Sequence, residues 1–151
     1  MKKFELTNEF ITNSYGVKLF RIKALIEFGN VKAGDLGGYI EKEENLSHMG
    51  DAWIYGDAQI SGNARVSGDA RVFGDARVSG DKDYAYAHGF GSCNRTTTFF
   101  RLKDGDVGVR CGCFYGTLAQ FRDKVCETHG ETKKAQEYLM LADLMEIRFK
   151  N

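Results

Sequence analysis

The stretch Gly68-Asp-Ala-Arg-Val-Phe-Gly-Asp-Ala-Arg-Val-Ser-Gly-Asp81 repeats a six-residue unit, and it sits inside a longer run. Framed on Ile54, residues 48–83 divide into six hexads. The first position is Ile or Val in five of them, the third is always Gly, the fourth always Asp or Asn, and the fifth is Ala in five. In an extended chain, Ala and the Ile or Val two residues later point to the same side. The intervening Arg, and the residue after Ile or Val, point to the other. Gly-Asp then bends the chain, because Gly tolerates positive φ and Asp or Asn hydrogen-bonds its own backbone in turns. Each hexad therefore predicts a short strand with two inward side chains and a bend. Repeated bends of one sense make a coil, and coils stack through backbone hydrogen bonds. A flexible Gly-rich linker would not place Ile or Val every six residues.

These positions resemble the hexapeptide-repeat family, and the resemblance covers roughly 48–83. It implies a left-handed parallel β-helix with three hexads in each triangular coil. Two coils are few for a repeat fold, so the flanks are expected to cover the open ends. Upstream, Phe20, Ile22, Ala24, Ile26 and Phe28 alternate as in a strand, after a turn over 13–16. Residues 33–46 (AGDLGGYIEKEENL) read as an irregular first coil with an acidic, solvated insertion.

Downstream the repeat stops near Asp83. Residues 96–102 and 107–114 are strand-like, and Lys103-Asp-Gly-Asp106 between them signals a hairpin. Thr117-Leu-Ala-Gln120 is a capping box opening a helix that ends at His129-Gly130. A second helix is predicted over 132–149, with Tyr138, Ala142, Met145 and Phe149 on one stripe. The fold class expected is mainly β with a C-terminal α+β part. Residues 1–83 would form a cap strand and a β-helix of about two regular coils plus the irregular one. Residues 84–151 would form a ββαα domain, a hairpin and two helices.

Of the 151 residues, 42% are hydrophobic and 28% charged, as in a globular chain. Lys plus Arg and Asp plus Glu are 21 each, so no global field favours long nucleic acid or a membrane surface. There is no Pro, which leaves the turns to the 18 Gly and to Asp and Asn. The start lacks the apolar stretch of a signal peptide, and no window approaches a membrane span. A cytoplasmic protein with four reduced cysteines is expected. The order of segments also resembles small bacteriophage- and prophage-encoded proteins, which implies the cytoplasm of an infected bacterial host.

Hexads three apart should lie one above another. That puts Trp53 and Tyr55 beside Arg71 and Phe73 on one outward wall, with Arg65 and Arg77 outward on nearby faces. Such a wall suits a stacked ring and a phosphate, and it equally suits a subunit interface, since hexapeptide-repeat proteins commonly form trimers. Ser92, Asn94 and Arg95 lie in a polar loop, 91–98, able to cradle a phosphate or simply to lead into a strand. Cys111 and Cys113 alternate with Val107 and Val109, which points to packing rather than to a metal site. His48 occupies an inward position and His129 a helix end; His88 is the one candidate base for an acyltransferase-like alternative. The leading expectation is a phage-encoded, non-enzymatic, oligomeric protein without cofactor, a trimer being favoured. It would sequester a small anionic, nucleotide-like host immune signal as an anti-defence sponge. The alternatives are the enzyme and a purely structural phage oligomer.

Overall fold

The computed structural model describes residues 2–91, 95–112 and 114–150. The chain opens with β1 (Phe4–Thr12) antiparallel to β2 (Lys18–Ala24). Asn13 makes the turn between them, its Oδ1 accepting from Tyr15 N and Val17 N. β2 ends at Ala24, short of the Phe28 that the alternation predicts. There Ala24 N turns to Asp35 O and Leu25 N to Lys3 O. β1 itself has no clear signature: five of its nine residues are polar or charged, and its partner β2 defines it.

β3 (Leu36–Ile40) pairs antiparallel with β2 and then begins a parallel stack. After β4 (Trp53–Ile54), Tyr39 and Ile40 pair with β5 (Gln59–Ile60). β6 (Arg71–Val72) lies over β4, and β7 (Arg77–Val78) over β5. A third side is marked by Leu46 bridging Val66 in parallel. The stack therefore starts earlier than residue 48, and residues 33–46 supply its first coil.

Vertical neighbours are eighteen residues apart in the regular coils (53 over 71, 59 over 77) and twenty apart across the first (39 over 59, 46 over 66). The two extra residues fall between Leu46 and Ile54, eight apart where the other steps are six; the preceding corner, Ile40 to Leu46, keeps six residues and folds through a 3-10 turn, Glu43–Asn45. Asn45 is buried there. Its Oδ1 accepts from Glu41 N and Lys42 N, and its Nδ2 donates to Gly62 O and Ala64 O. One carboxamide thus satisfies backbone groups of its own corner and of the coil above it.

Ile40, Leu46, Ile54, Ile60, Val66, Val72 and Val78 fill the coil interior with Ala52, Ala58, Ala64, Ala70 and Ala76, as the hexad pattern predicts. Each buried Val or Ile contributes about 1.5–3 kcal/mol of transfer free energy. No sheet among the described residues closes on itself; the three sides carry separate ladders.

Both ends of the stack are covered. At the first coil, Lys3 Nζ donates to Ala52 O at 2.7 Å and Gly50 O at 3.3 Å, and Phe4 packs edge-on against Trp53. At the last, a four-stranded antiparallel sheet in the order β11-β10-β9-β8 closes the mouth. Its strands are β8 (Tyr84–Phe90), β9 (Arg95–Arg101), β10 (Val107–Cys111) and β11 (Phe114–Thr117). Two of these, β8 and β11, are absent from the expected hairpin. YAYAHGF carries Ala and His where the predicted strands carry branched or aromatic residues, and FYGT is only four residues; both form because β9 and β10 offer them edges. Backbone donors at the open mouth find side-chain acceptors: Arg71 N on Thr98 Oγ1, Ser67 N on the Tyr84 hydroxyl, and Ser79 N on the Asp83 carboxylate.

β9 faces two ways. Phe100 joins the coil core, and Phe99 joins a second core with α1 (Leu118–His129) and α2 (Lys133–Arg148). The capping box forms as read: Gln120 N donates to Thr117 Oγ1, and Thr117 N to Gln120 Oε1. Gly130 ends α1 at φ 57. Tyr138, Ala142, Met145 and Phe149 bury the predicted stripe.

The corner glycines separate two costs. Gly56 and Gly62 share φ near 60, but a Cβ at Gly62 would come within 2.3 Å of Ser79 O, and one at Gly56 meets nothing closer than 4.0 Å. Gly56→Ala should cost about 1–2 kcal/mol from the left-handed backbone alone, and Gly62→Ala clearly more, because neighbouring coils must part. Urea denaturation of the two variants side by side measures the difference.

Candidate functional site

Tyr55 and Phe73 each follow an inward residue, so both point outward, and the eighteen-residue register sets one over the other. Their rings stack at 4.1 Å and 4°. The Arg110 guanidinium lies 4.5 Å from the Phe73 centroid, so Phe73 is held between Tyr55 and a cation. Tyr115 tilts against Phe73 at 5.8 Å. Arg110 and Tyr115 are directly opposed across the β10–β11 ladder, so the C-terminal sheet carries them to the wall as a pair.

Trp53 is not on this wall. It occupies an outward hexad position, yet it is only 1% exposed. Phe4 and Phe28 pack edge-on against it, because the N-terminal strands fold over that side of the first coil. Its ladder partner Arg71 is half-buried at the wall. Arg65 and Arg77 lie on the other two sides of the coil. Arg65 lines a separate cleft with Glu43, Glu44 and His48, and Arg77 donates to Ala76 O. The structure therefore gathers Tyr55, Phe73 and Arg71 and leaves Trp53, Arg65 and Arg77 apart. Ser92 and Asn94 fall outside the described residues. Arg95 opens β9 and pairs with Phe90.

Beside the stacked rings is a cavity of about 190 Å³ lined by Asp51, Asp69, Arg71, Thr96, Arg110 and Gly112. Asp51 and Asp69 are vertical neighbours at successive Gly-Asp corners, and Asp51 N donates to Asp69 Oδ1 at 3.4 Å. Among the described residues, neither Arg71 nor Arg110 forms a salt bridge. The Arg110 Nε is buried without a hydrogen-bond acceptor. Arg110, Thr96 and Tyr115 are beyond reach of the hexad arithmetic. The alternation Val107, Val109, Cys111 that sends Cys111 inward was the signal available, since it sends Arg110 to the opposite face.

The histidines are engaged elsewhere. His48 stacks on Phe4 at 4.2 Å, accepts from Lys3 N at 3.1 Å and contacts the Glu43 carboxylate at 2.7 Å. His88 lies 2.7 Å from the Thr96 hydroxyl. Cys111 is buried and accepts from Thr97 Oγ1 at 3.2 Å. Cys93 and Cys113 are outside the described residues. Among the described residues, no three His, Cys, Asp or Glu side chains gather as a metal site would require.

A family model described as the YdcK beta solenoid repeat matches residues 58–72, the segment that carries β5 and β6. No curated protein matches the chain. The parallel ladders, the inward Ile, Val and Ala, and this match define a β-solenoid repeat protein that is mainly β with two C-terminal helices. No helix among the described residues is long and apolar enough to cross a membrane.

The same two aspartates act on Lys3 through their field. Burial lowers its pKa from 10.5 to about 8, and the fields of Asp51 and Asp69 oppose that shift. Between these values the unfolded chain holds a proton that the folded chain has released, so stability rises with pH. Above 10 the trend reverses, because burial raises Tyr55 and Tyr115 and the folded state then holds the extra protons. The urea midpoint should climb from pH 8 to 10, and Lys3→Met should flatten that climb. A midpoint independent of pH in the wild-type chain would contradict the burial of an ionisable Lys3.

Proposed function

We propose that the protein is a non-enzymatic binding protein whose wall takes a small anionic, ring-bearing molecule of nucleotide type. The observation that carries this reading is the pair Arg71 and Arg110. One comes from the coil and one from the sheet that closes it; among the described residues neither is spent on an internal ion pair, and both line one cavity beside stacked rings. Guanidinium groups match phosphate oxygens in a planar, bidentate manner that lysine does not. Asp51 and Asp69 supply acceptors for exocyclic amines or ring N–H groups. A volume of about 190 Å³ corresponds to roughly six waters, which is room for a phosphate rather than for a whole nucleotide. The ring would lie outside, against Tyr55 or Tyr115, since both faces of Phe73 are occupied.

A half-open wall binds weakly by itself, so enclosure by a second subunit fits the oligomeric reading, with a trimer favoured. The partners taken by His48 and His88 support binding over acyl transfer. The segment order, similar to that of small phage proteins, supports a phage source, action in the cytoplasm of the infected host, and sequestration of a nucleotide-like immune signal. The hexad spacing supports the finer assignment of the solenoid as a left-handed, hexapeptide-type β-helix. A purely structural oligomer has one observation in its favour: Met140, Leu144 and Ile147 are exposed at helical spacing on α2.

Arg71→Ala combined with Arg110→Ala should weaken binding of nucleotides released from the protein purified out of infected cells by about 100-fold or more. Titration calorimetry measures it, and fluorescence of the single, buried Trp53 checks that the fold survives. Nothing released, and no heat with AMP, GMP or inorganic phosphate, would favour the structural oligomer. Trp53→Ala is expected to cost about 3–5 kcal/mol of stability as a core truncation, not to report on the wall.

A further inference from the structure

Arg110 and Cys111 are adjacent on β10 and point to opposite faces. Arg110 serves the cavity on the coil side. Cys111 borders a second, larger one of about 510 Å³ between β10, β11 and α1, on the helix side of the sheet. Its ring walls are Phe114 from β11, Phe121 from α1 and Tyr138 from α2; Tyr115 borders it from β11 but turns its ring to Phe73 on the coil side. The walls brace one another, Phe121 meeting Tyr138 edge-on at 5.6 Å and Phe114 at 5.8 Å. The Tyr138 hydroxyl is already tied down at 3.6 Å from the Cys111 sulfur, which in turn accepts from Thr97. The aromatic walls are thus fixed in place without an occupant.

The rim of this cavity carries Lys124, Thr128 and His129, all from α1, and among the described residues no carboxylate lines it. The ammonium of Lys124 has Glu127 at 3.8 Å, a half-exposed pair three residues apart on one helix, which competes weakly with a ligand. The carbonyl end of α1 lies at His129 and disfavours an anion there. The acid group therefore belongs at Lys124, more than a turn earlier, where Thr128, one turn along the same helix face, offers its hydroxyl as a second donor. About 510 Å³ is roughly seventeen waters' share of volume, so one or two fused rings fit. An aromatic-lined hollow of this size with a few polar groups on one rim is what small-molecule sites share.

We infer that this cavity is a second binding site, distinct from the arginine wall, for a small aromatic carboxylic acid. The rings take the flat apolar body and Lys124 takes the carboxylate. No bond is made or broken.

The test uses the full chain and 1-naphthoate, with binding followed through the ligand's own fluorescence anisotropy. Wild type should bind it, and Lys124→Met should lose about tenfold or more, the worth of one charge-assisted hydrogen bond. Thr128→Trp, a change at an exposed rim position, should block entry while leaving the helices intact by circular dichroism. Arg110→Ala should leave naphthoate affinity within about twofold, since it acts on the other face. That separates this site from the arginine wall, whichever of the two fails. The inference is overturned if wild type shows no binding at about 1 mM, the weak end of specific affinities. It is equally overturned if Lys124→Met binds like wild type, or if neutral 1-naphthalenemethanol binds as tightly as the acid.

Discussion

The structure depends on the parallel backbone ladder between residues eighteen apart. Each inward Ile or Val must sit over the one in the coil before it, or the Ala beside it no longer fits and the stack opens. Outward residues follow passively, so the register that packs Ile54 under Val72 also stacks Tyr55 on Phe73. Packing sets the geometry of the wall, and the chemistry of the wall is built on that geometry.

A stack this short has two exposed ladder edges for very little interior, and the chain spends most of its remaining residues on them. Lys3, Phe4 and the β1–β2 pair cover one edge, and the β8–β11 sheet covers the other. Both caps change what the coil surface means. The first converts an outward Trp53 into core. The second brings Arg110 and Tyr115 to a wall that the coil alone would leave with Arg71 and two rings.

What could be read from the residues follows from that division. Hexad spacing is a local property, and it correctly places the interior, the bends and the vertical pairs. The helices were equally readable, because Thr117, Gln120 and Gly130 act within a few residues of the ends they define. β1, β8 and β11 were not, since strands rich in polar residues or Gly exist only by virtue of a partner edge. The burial of Trp53 and the arrival of Arg110 are contacts across long stretches of chain, and no short-range pattern encodes either. Asn45 belongs to the same class: its side chain means little until its own corner and the next coil bring four backbone groups to one place.

The alternation of Phe99 and Phe100 along β9 has a further meaning. Repeat arrays ordinarily fray unit by unit, because each repeat touches only its neighbours. Here one strand contributes a ring to each of two interiors, so neither can melt while the other stays dry. The coil and the helices are joined through that strand, an arrangement that favours one cooperative unit over a row of independent links.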